Sequence, residues 1–264
     1  MPVINSRQNP VVRTFRELAR QPDATGTRLL LDGDHLIREA IAAGVDFETV
    51  AVVASRARGT EEADLARVAV DHGARVLTVS DSAFAAMSPV RAPSGIVAIA
   101  RREPIDAEEI CRRENGFVLV AVDVQDPGNI GSLIRAGEAG GITGVLVCGA
   151  SANPFSWKAV RGSMGSILRV PVAAGLTTDA AVSCIRKHGG RVIAAVPRDG
   201  RDPDAVSWRG RVALLIGGEG PGLSDADVRR TDELVTIPMV EPVESLNVAV
   251  AGAILVYAAR RQRA

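Results

Sequence analysis

The sequence is poor in several residue types that would by themselves point to a function. Only two of its 31 cationic residues are lysines, Lys158 and Lys187, and aromatic residues make up 3% of the 264 residues. Three cysteines and three histidines are scattered, without a CxxC pair or a zinc-type spacing. These shortages argue against a disulfide framework, a structural metal site and extensive base stacking as a way of binding nucleic acid.

Net charge and long apolar runs are also missing. Lys+Arg and Asp+Glu each total 31, so a surface for nucleic acid would have to be a local patch. The sequence begins without an apolar signal core, and its longest apolar run, 248–259, is too short to span a membrane. We therefore expect a cytoplasmic protein that binds neither a metal nor a membrane.

Apolar runs and helix-like segments alternate along the chain, which indicates an α/β protein. The charged, proline-containing stretch 101–115 is typical of a linker and predicts two domains, residues 1–107 and 108–264. In the first domain, strands are predicted at 28–32, 49–54, 75–79 and 95–100.

The second domain begins with the apolar run 117–124, which is typical of a strand buried on both faces of a parallel sheet. A helix over 245–263 ends the chain and is apolar nearly all round, so we expect its first half to be buried. Further strands are predicted near 144–148, 191–196, 211–216 and 234–238.

Three loops of the second domain each follow a strand and precede a helix, where α/β proteins bind ligands. In the first, 123–141, we predict Asn129 as a helix N-cap, with Arg135 off the apolar face. In the third, 237–262, Ser245 and Asn247 lie at the start of the last helix, beside free backbone N–H groups. A capped helix with one solvated arginine is an alternative explanation for the first loop. Capping by Ser245 would explain that serine, but it does not explain the length of the third loop.

The second loop, LLIGGEGPGLSD at 214–225, resembles a phosphate loop but lacks its chemistry. Gly217 and Gly222 have the P-loop gap, but Leu223 stands where the phosphate-binding lysine should be, and Glu219 would repel phosphate. The GxGxxG dinucleotide pattern also fails, at Leu223. The pattern disfavours an ATPase or a nucleotide-dependent oxidoreductase. It favours a neutral or cationic ligand against bare backbone, with a tight glycine turn as the structural alternative.

Together and in this order, the loops resemble the three motifs of the SPOUT-class 2′-O-ribose RNA methyltransferases, the SpoU or TrmH-type branch. A segment from Lys158 to Gly165 resembles the family's stretch between the first two motifs, and the likeness covers about residues 117–260. The N-terminal part is similar to the small substrate-binding domain of rRNA-modifying members, which resembles a ribosomal protein that binds bent RNA. The motif residues are Asn129, Gly131 and Arg135; Gly217, Glu219, Gly220, Gly222, Leu223 and Ser224; and Ile237, Pro238, Met239, Glu244, Ser245, Leu246, Asn247 and Val248.

The resemblance implies a methyltransferase domain whose chain forms a deep trefoil knot, a homodimer, and S-adenosylmethionine as the cofactor. For the family, this arginine has been proposed as a general base assisted by a substrate phosphate, but a guanidinium keeps its proton, so we expect Arg135 to position a phosphate and stabilise an alkoxide. The implied catalytic residues are Asn129, Arg135, Glu219, Ser245 and Asn247. The implied cofactor-binding residues are Val196, Gly217, Gly222, Ile237 and Leu246. The candidates for RNA binding are Arg7 and Arg13 in the first domain, and Lys158 and Arg161 near the reaction centre.

The separate N-terminal domain favours ribosomal RNA as the substrate. The alternatives are a transfer-RNA methyltransferase, an rRNA methyltransferase that protects against an antibiotic, and a non-catalytic RNA-binding protein with the same fold.

Overall fold

A computed structural model describes residues 3–220 and 222–263. The chain forms two compact units, each of α/β type. The first contains the chain up to Pro104 together with Phe155–Arg169, and the second contains Ile105–Pro154 and the chain from Val170 onward. Residues 155–169 thus belong by contact to the first unit. The domain limits at 107 and 108 stay a prediction.

The first unit is built on a mixed sheet of order β1-β4-β2-β3, in which only β2 and β3 are parallel to each other. Helix α1 begins at Pro10 after its cap Asn9, and it buries Val12, Phe15 and Leu18 against the sheet. The elements are α1 Pro10–Arg20, β1 Arg28–Asp32, α2 Asp34–Ala42, β2 Asp46–Val53, α3 Glu61–Asp71, β3 Arg75–Val79, α4 Asp81–Met87, β4 Ile96–Arg101 and α7 Trp157–Gly162.

Residues 155–169 are built into the core of this first unit. A Cβ at Gly26 would lie 2.5 Å from the ring of Phe155, so the glycine leaves room for that ring. The guanidinium of Arg102 lies 5.5 Å from the same ring centroid and donates a hydrogen bond to the carbonyl of Ile167. Trp157 packs against the core cluster formed by α1, α4 and the sheet. The sequence pattern did not indicate this packing, because the contacts join segments far apart in the chain.

The second unit contains a parallel sheet of order β10-β8-β9-β5-β6-β7. Strand β5 is buried along its whole length, as its apolar run predicts. Strand β7 was not predicted, because its sequence VAAGL is short and contains a glycine. The elements are α5 Ala107–Cys111, β5 Phe117–Val122, α6 Pro127–Gly140, β6 Gly144–Cys148, β7 Val172–Leu176, α8 Thr178–Lys187, β8 Arg191–Ala195, β9 Val212–Gly217, α9 Asp225–Val228, β10 Glu233–Val235 and α10 Val248–Arg263.

Helices α6 and α10 pack closely in the second unit, and glycines allow the approach. A Cβ at Gly140 would overlap Val256, and one at Gly252 would overlap Leu133. The expectation that the first half of α10 is buried is only partly right. Val248 and Leu255 are buried, but Val250 and Ile254 are 49% and 41% exposed, because α6 covers one side of the helix only.

The parallel α/β fold predicted from the sequence is confirmed for the second unit. The trefoil knot fits this strand order and stays a prediction. Within 3–220 and 222–263, no helix combines the length and apolar character needed to cross a membrane.

Candidate active site

A cavity of about 390 Å³ lies in the second unit, where strands β8, β9 and β10 end. This volume is in the range that small-molecule and cofactor sites occupy. Its wall is formed by the segment after β8, the glycine loop after β9, the segment that leads from β10 to α10, and α10 itself. The lining residues include all five predicted cofactor-binding residues, Val196, Gly217, Gly222, Ile237 and Leu246.

The glycine loop is so tight that side chains would not fit at two of its positions. A Cβ at Gly217 would overlap the backbone of Gly222 and Leu223, and one at Gly218 would overlap the carbonyl oxygen of Asp123. Gly222 has a φ of 70°, a left-handed conformation that side chains disfavour. The loop therefore presents bare backbone to the cavity.

The walls of the cavity are mainly apolar, and Glu219 is the only ionisable side chain among the described lining residues. Such a cavity offers no cation to balance a phosphate. It can hold a flat apolar group against Leu223, Met239 and Leu255, and its carboxylate favours a ligand with positive charge. This matches the expectation of a phosphate-free ligand.

Three polar side chains from the three motifs form one hydrogen-bonded chain at the cavity. Nδ2 of Asn247 donates to Oδ1 of Asn129 over 3.1 Å, and Nδ2 of Asn129 donates to the carboxylate of Glu219. Because Glu219 accepts, the amide of Asn129 is oriented with its nitrogen toward that carboxylate. Glu219 and Asn247 both line the cavity.

The predicted role of Asn129 as a helix N-cap is wrong. Helix α6 begins at Pro127, and its cap is Asp126, whose Oδ1 accepts from the backbone nitrogen of Asn129 over 3.0 Å. Asp-Pro is a frequent start of a helix, so the signal was present in the sequence. Because Asp126 is the cap, the Asn129 side chain can reach Glu219.

Capping of the last helix also differs from the simplest interpretation. Oδ1 of Asn247 accepts from the backbone nitrogens of Ala249 and Val250, over 3.0 and 3.3 Å. Ser245 does not cap the helix and instead lines the cavity. Asn247 thus uses its oxygen to hold α10 and its nitrogen to hold Asn129.

Arg135 is exposed on α6, and no ion pair or hydrogen bond of its guanidinium exists within the described ranges. It lies six residues after Asn129, which corresponds to about 9 Å along the helix axis. The hydrogen-bonded chain does not include it. Its charge is therefore available to an anionic ligand.

Some cavity residues were not predicted as ligand contacts. Leu223 and Met239 belong to the recognised motifs, while Ala251 and Leu255 lie one turn apart on α10. The 3.6-residue period of α10 predicts that Ala251 and Leu255 face the interior, but it does not predict that they contact a ligand. In a sequence, apolar residues that contact a ligand have the same pattern as apolar residues of the core.

The four predicted RNA-binding residues all belong to the first unit. Arg7 donates to the carbonyl of Ser82, and Arg13 lies 3.7 Å from Glu17. Lys158 lies 5.7 Å from the ring centroid of Trp157. Arg161, like Lys158, is exposed on α7.

The cysteines do not contribute a reactive thiol to the cavity. Cys111 and Cys148 are buried, and burial raises the pKa of the Cys148 thiol to about 12. In the described part of the chain, no three His, Cys, Asp or Glu side chains are grouped as ligands for a metal ion.

Comparison with known proteins gives a family for both parts of the chain. Residues 116–257 match the SpoU rRNA methylase family, and residues 9–98 match the MRM3-like substrate-binding domain. The 23S rRNA (guanosine(2553)-2′-O)-methyltransferase RlmP of Bacillus subtilis is 30% identical over 259 residues, which are 97% of this chain and 98% of that protein.

Solved structures agree with this match. The AdoMet-bound rRNA methyltransferase from Sinorhizobium meliloti has a TM-score of 0.85 at 27% identity, covering 98% of this chain and 97% of that one. The SpoU methyltransferase AviRb from Streptomyces viridochromogenes, solved with AdoMet, has a TM-score of 0.84 at 26% identity, covering 97% and 98%.

The fold, the cavity and these likenesses define an S-adenosylmethionine-dependent RNA methyltransferase with a separate substrate-binding domain. The chain belongs to the SpoU rRNA methylase family. The resemblance drawn from its three loops is thereby confirmed.

Proposed function

We propose that this protein transfers a methyl group from S-adenosylmethionine to a ribose 2′-hydroxyl of ribosomal RNA. The observation that carries the proposal is the hydrogen-bonded chain Asn247–Asn129–Glu219 beside an apolar cavity without cations. The name of the Bacillus subtilis relative and the match to a substrate-binding domain support ribosomal RNA over transfer RNA.

The residues present fit S-adenosylmethionine, which supplies a methyl group on a positively charged sulfur and has no phosphate. Val196, Ile237 and Leu246 would pack on its adenosine part, and Gly217 and Gly222 would let the backbone approach it. Glu219 places a negative charge on the cavity wall, which favours a cationic ligand.

The polar side chains would orient the attacking ribose. The 2′-hydroxyl is a weak nucleophile, and its proton would pass to solvent as the methyl group leaves the sulfur and bonds to the oxygen. Asn129 and Asn247, each held by hydrogen bonds at both ends of its amide, would hold the ribose with little freedom, and Ser245 would add a hydroxyl beside them. Glu219 keeps the amide of Asn129 in one orientation.

Arg135 would act on the phosphate and the developing alkoxide. A guanidinium keeps its proton at any ordinary pH, so it can donate hydrogen bonds but cannot accept the proton of the hydroxyl. Its exposed side chain, without a partner in the described chain, is suited to bind a substrate phosphate in two-pronged geometry. Stabilising the negative oxygen lowers the barrier to attack.

We further propose that the protein is a homodimer through α10. Val250, Ile254 and Tyr257 follow a spacing of four and three residues, so they share one face of the helix. All three side chains are exposed, by 49%, 41% and 47%. A second copy of the same face would remove this apolar surface from water.

A ribosomal RNA substrate also implies a cytoplasmic protein.

The test combines cofactor binding with mapping of the product. Calorimetry should detect S-adenosylmethionine, and ribosomal RNA from a strain lacking the gene should lose one 2′-O-methyl group that the purified protein restores. The same RNA with a 2′-deoxyribose at that nucleotide should not be methylated. Absence of cofactor binding at millimolar concentration would instead favour a non-catalytic RNA-binding protein.

A further inference from the structure

The helices of the first unit lie on two faces of its sheet. Helices α1 and α4 pack on one face, in a cluster that also contains Leu30 and Val97, and Trp157 of α7 packs against the same cluster. Helices α2 and α3 pack against each other and against the sheet, and their described buried residues are not part of that cluster. We call the first set, with Arg7 before α1, the α1/α7 face.

The two sets of helices carry opposite charge. Helices α1, α4 and α7 have five cations and two carboxylates, while α2 and α3 have six carboxylates and two arginines; Arg7 lies before α1, and Arg56 and Arg58 lie before α3. On the α1/α7 face the charged residues are Arg7, Arg13, Arg16, Arg20, Lys158 and Arg161, with Glu17 and Asp81. On α2 and α3 they are Asp34, Glu39, Glu61, Glu62, Asp64 and Asp71, with Arg38 and Arg67.

The cations of α1 form a stripe. Arg13, Arg16 and Arg20 are separated by three and four residues, so they lie on one side of the helix, over about 10 Å of its axis. Of the six cations on the α1/α7 face, only Arg13 has a carboxylate within 4 Å in the described ranges, and that pair with Glu17 is exposed. Arg38 and Arg67 of the opposite helices are both paired with carboxylates.

Helix α7 carries two further exposed cations. Trp157 seats the helix on the cluster that also contains Val12 and Phe15 of α1. Lys158 and Arg161 are exposed on α7, and Arg161 is attracted by the carboxylate of Asp32 on β1. The positive charge of the face therefore comes from Arg7 and from two helices that both contact this cluster.

We propose that the α1/α7 face is the surface on which the first unit docks the backbone of its RNA, with Arg16 and Arg20 as contacts alongside Arg13 and the α7 cations. This rests on the proposed function, since it takes RNA as the substrate. The planar guanidinium group of arginine matches the geometry of phosphate, and the excess of cations over carboxylates on this face attracts a polyanion.

The residue types on this face favour a nucleic acid over a protein partner. Protein interfaces are built around buried aromatic or aliphatic anchors. In the described chain, no large exposed apolar residue lies on α1, α4 or α7. The acidic α2 and α3 helices would repel RNA, which leaves one face of the unit for it.

The test compares two charge reversals in the full-length protein. One variant carries Arg16→Glu and Arg20→Glu, and the matched control carries Arg58→Glu and Arg67→Glu, which change the net charge equally beside and on α3. Binding of unmodified 23S ribosomal RNA, made by in vitro transcription, is measured by filter retention at several salt concentrations. Calorimetry with S-adenosylmethionine and thermal melting check the cavity and the fold.

The α1 variant should bind RNA at least about 10-fold more weakly, with a salt dependence shallower by about 1.5 in log–log slope, while the control changes less than about 2-fold. Cofactor binding should be unchanged in both. If RNA binding weakens equally in both variants, or is unchanged in both, the proposed docking face is wrong. Neither result would contradict methyl transfer by the wild type. Failure of the wild type to bind RNA would overturn the face together with its RNA substrate, and failure to bind the cofactor would overturn only the catalytic proposal.

Discussion

Asn129 donates a hydrogen bond from its side-chain nitrogen to the carboxylate of Glu219, a residue 90 positions further along the chain. The same amide accepts from Asn247 through its oxygen. A primary amide has a donor end and an acceptor end, so these two partners fix its orientation. The first and third motifs are thereby joined to the glycine loop at the cavity.

Replacing the amide should expose this dependence. Asn129→Asp places a second carboxylate beside Glu219 and removes the donor, so methyl transfer at pH 7.5 should fall about 100-fold. Like charges raise the pKa of one member of such a pair, so lower pH returns a proton that can again be donated. The rate relative to the wild type should therefore rise from pH 8 to pH 5.5. Asn129→Ala is the control, and its relative rate should not change with pH; parallel pH profiles of the two variants would contradict the orientation inferred here.

The glycine loop should not accept a side chain at Gly218. Its Cβ would overlap the carbonyl oxygen of Asp123, so Gly218→Ala must displace backbone at a cost of about 1–3 kcal/mol. We expect S-adenosylmethionine to bind at least about 10-fold more weakly, measured by calorimetry. Gly220→Ala is the matched control, because a Cβ there meets open space and adds only the conformational cost of a φ of 98°. Equal affinities of the two variants would refute the steric argument.

The contact of α6 with α10 should appear as a coupling between Gly140 and Val256. Gly140→Ala should lower the free energy of unfolding by about 1–3 kcal/mol, because the new Cβ overlaps Val256. Val256→Ala leaves space for that methyl group. In urea unfolding, the double variant should therefore lose at least about 1 kcal/mol less than the sum of the single losses. Additive losses would show that the two residues do not interact.

The apolar face of α10 should control the oligomeric state. Ile254→Glu adds a charge to the proposed dimer surface, so the variant should sediment as a monomer where the wild type sediments as a dimer. Val70→Glu adds the same charge at another exposed valine, on α3, and should leave the dimer intact. A dimer that persists in the first variant would place the interface elsewhere.

The turn before β1 should lose stability at low pH. Burial raises the pKa of Asp23, but hydrogen bonds from Thr27, Thr25 and the Arg28 backbone outweigh burial and lower it from 3.8 to about 2. A lowered pKa means that the stabilisation is complete above pH 3.8 and is lost as the pH falls toward 2.

Asp23→Asn should therefore reduce the free energy of unfolding at pH 7 by at most about 1 kcal/mol, after discounting for solvent exposure. The difference from the wild type should shrink at pH 3, as measured by urea unfolding. Thr27→Val removes one donor to the same carboxylate and should give a smaller loss in the same direction. If the difference in unfolding free energy between Asp23→Asn and the wild type grows as the pH falls, the direction assigned to the pKa shift of Asp23 is wrong.

Local pattern determined much of this protein. The apolar run of β5 predicted a buried parallel strand, because both faces of such a strand lie against helices. The missing lysine and the carboxylate at Glu219 predicted a cavity without phosphate chemistry, and the cavity has no cation among its described lining residues. The order of the three loops was enough to identify the family.

Only the tertiary structure decided how these pieces meet. Both Asp126 and Asn129 could cap α6. Asp126 is the cap in the structure, so the side chain of Asn129 is able to bond to Glu219. Residues 155–169 joined the core of the first unit because Phe155 and Trp157 fit there, which no periodicity records. The sequence pattern of α10 predicts that its apolar residues are buried in the core. In the structure, α6 packs on one side of the helix only, which leaves Val250, Ile254 and Tyr257 exposed. A sequence states which groups can bond or be buried, and the three-dimensional arrangement of distant segments determines which of them are.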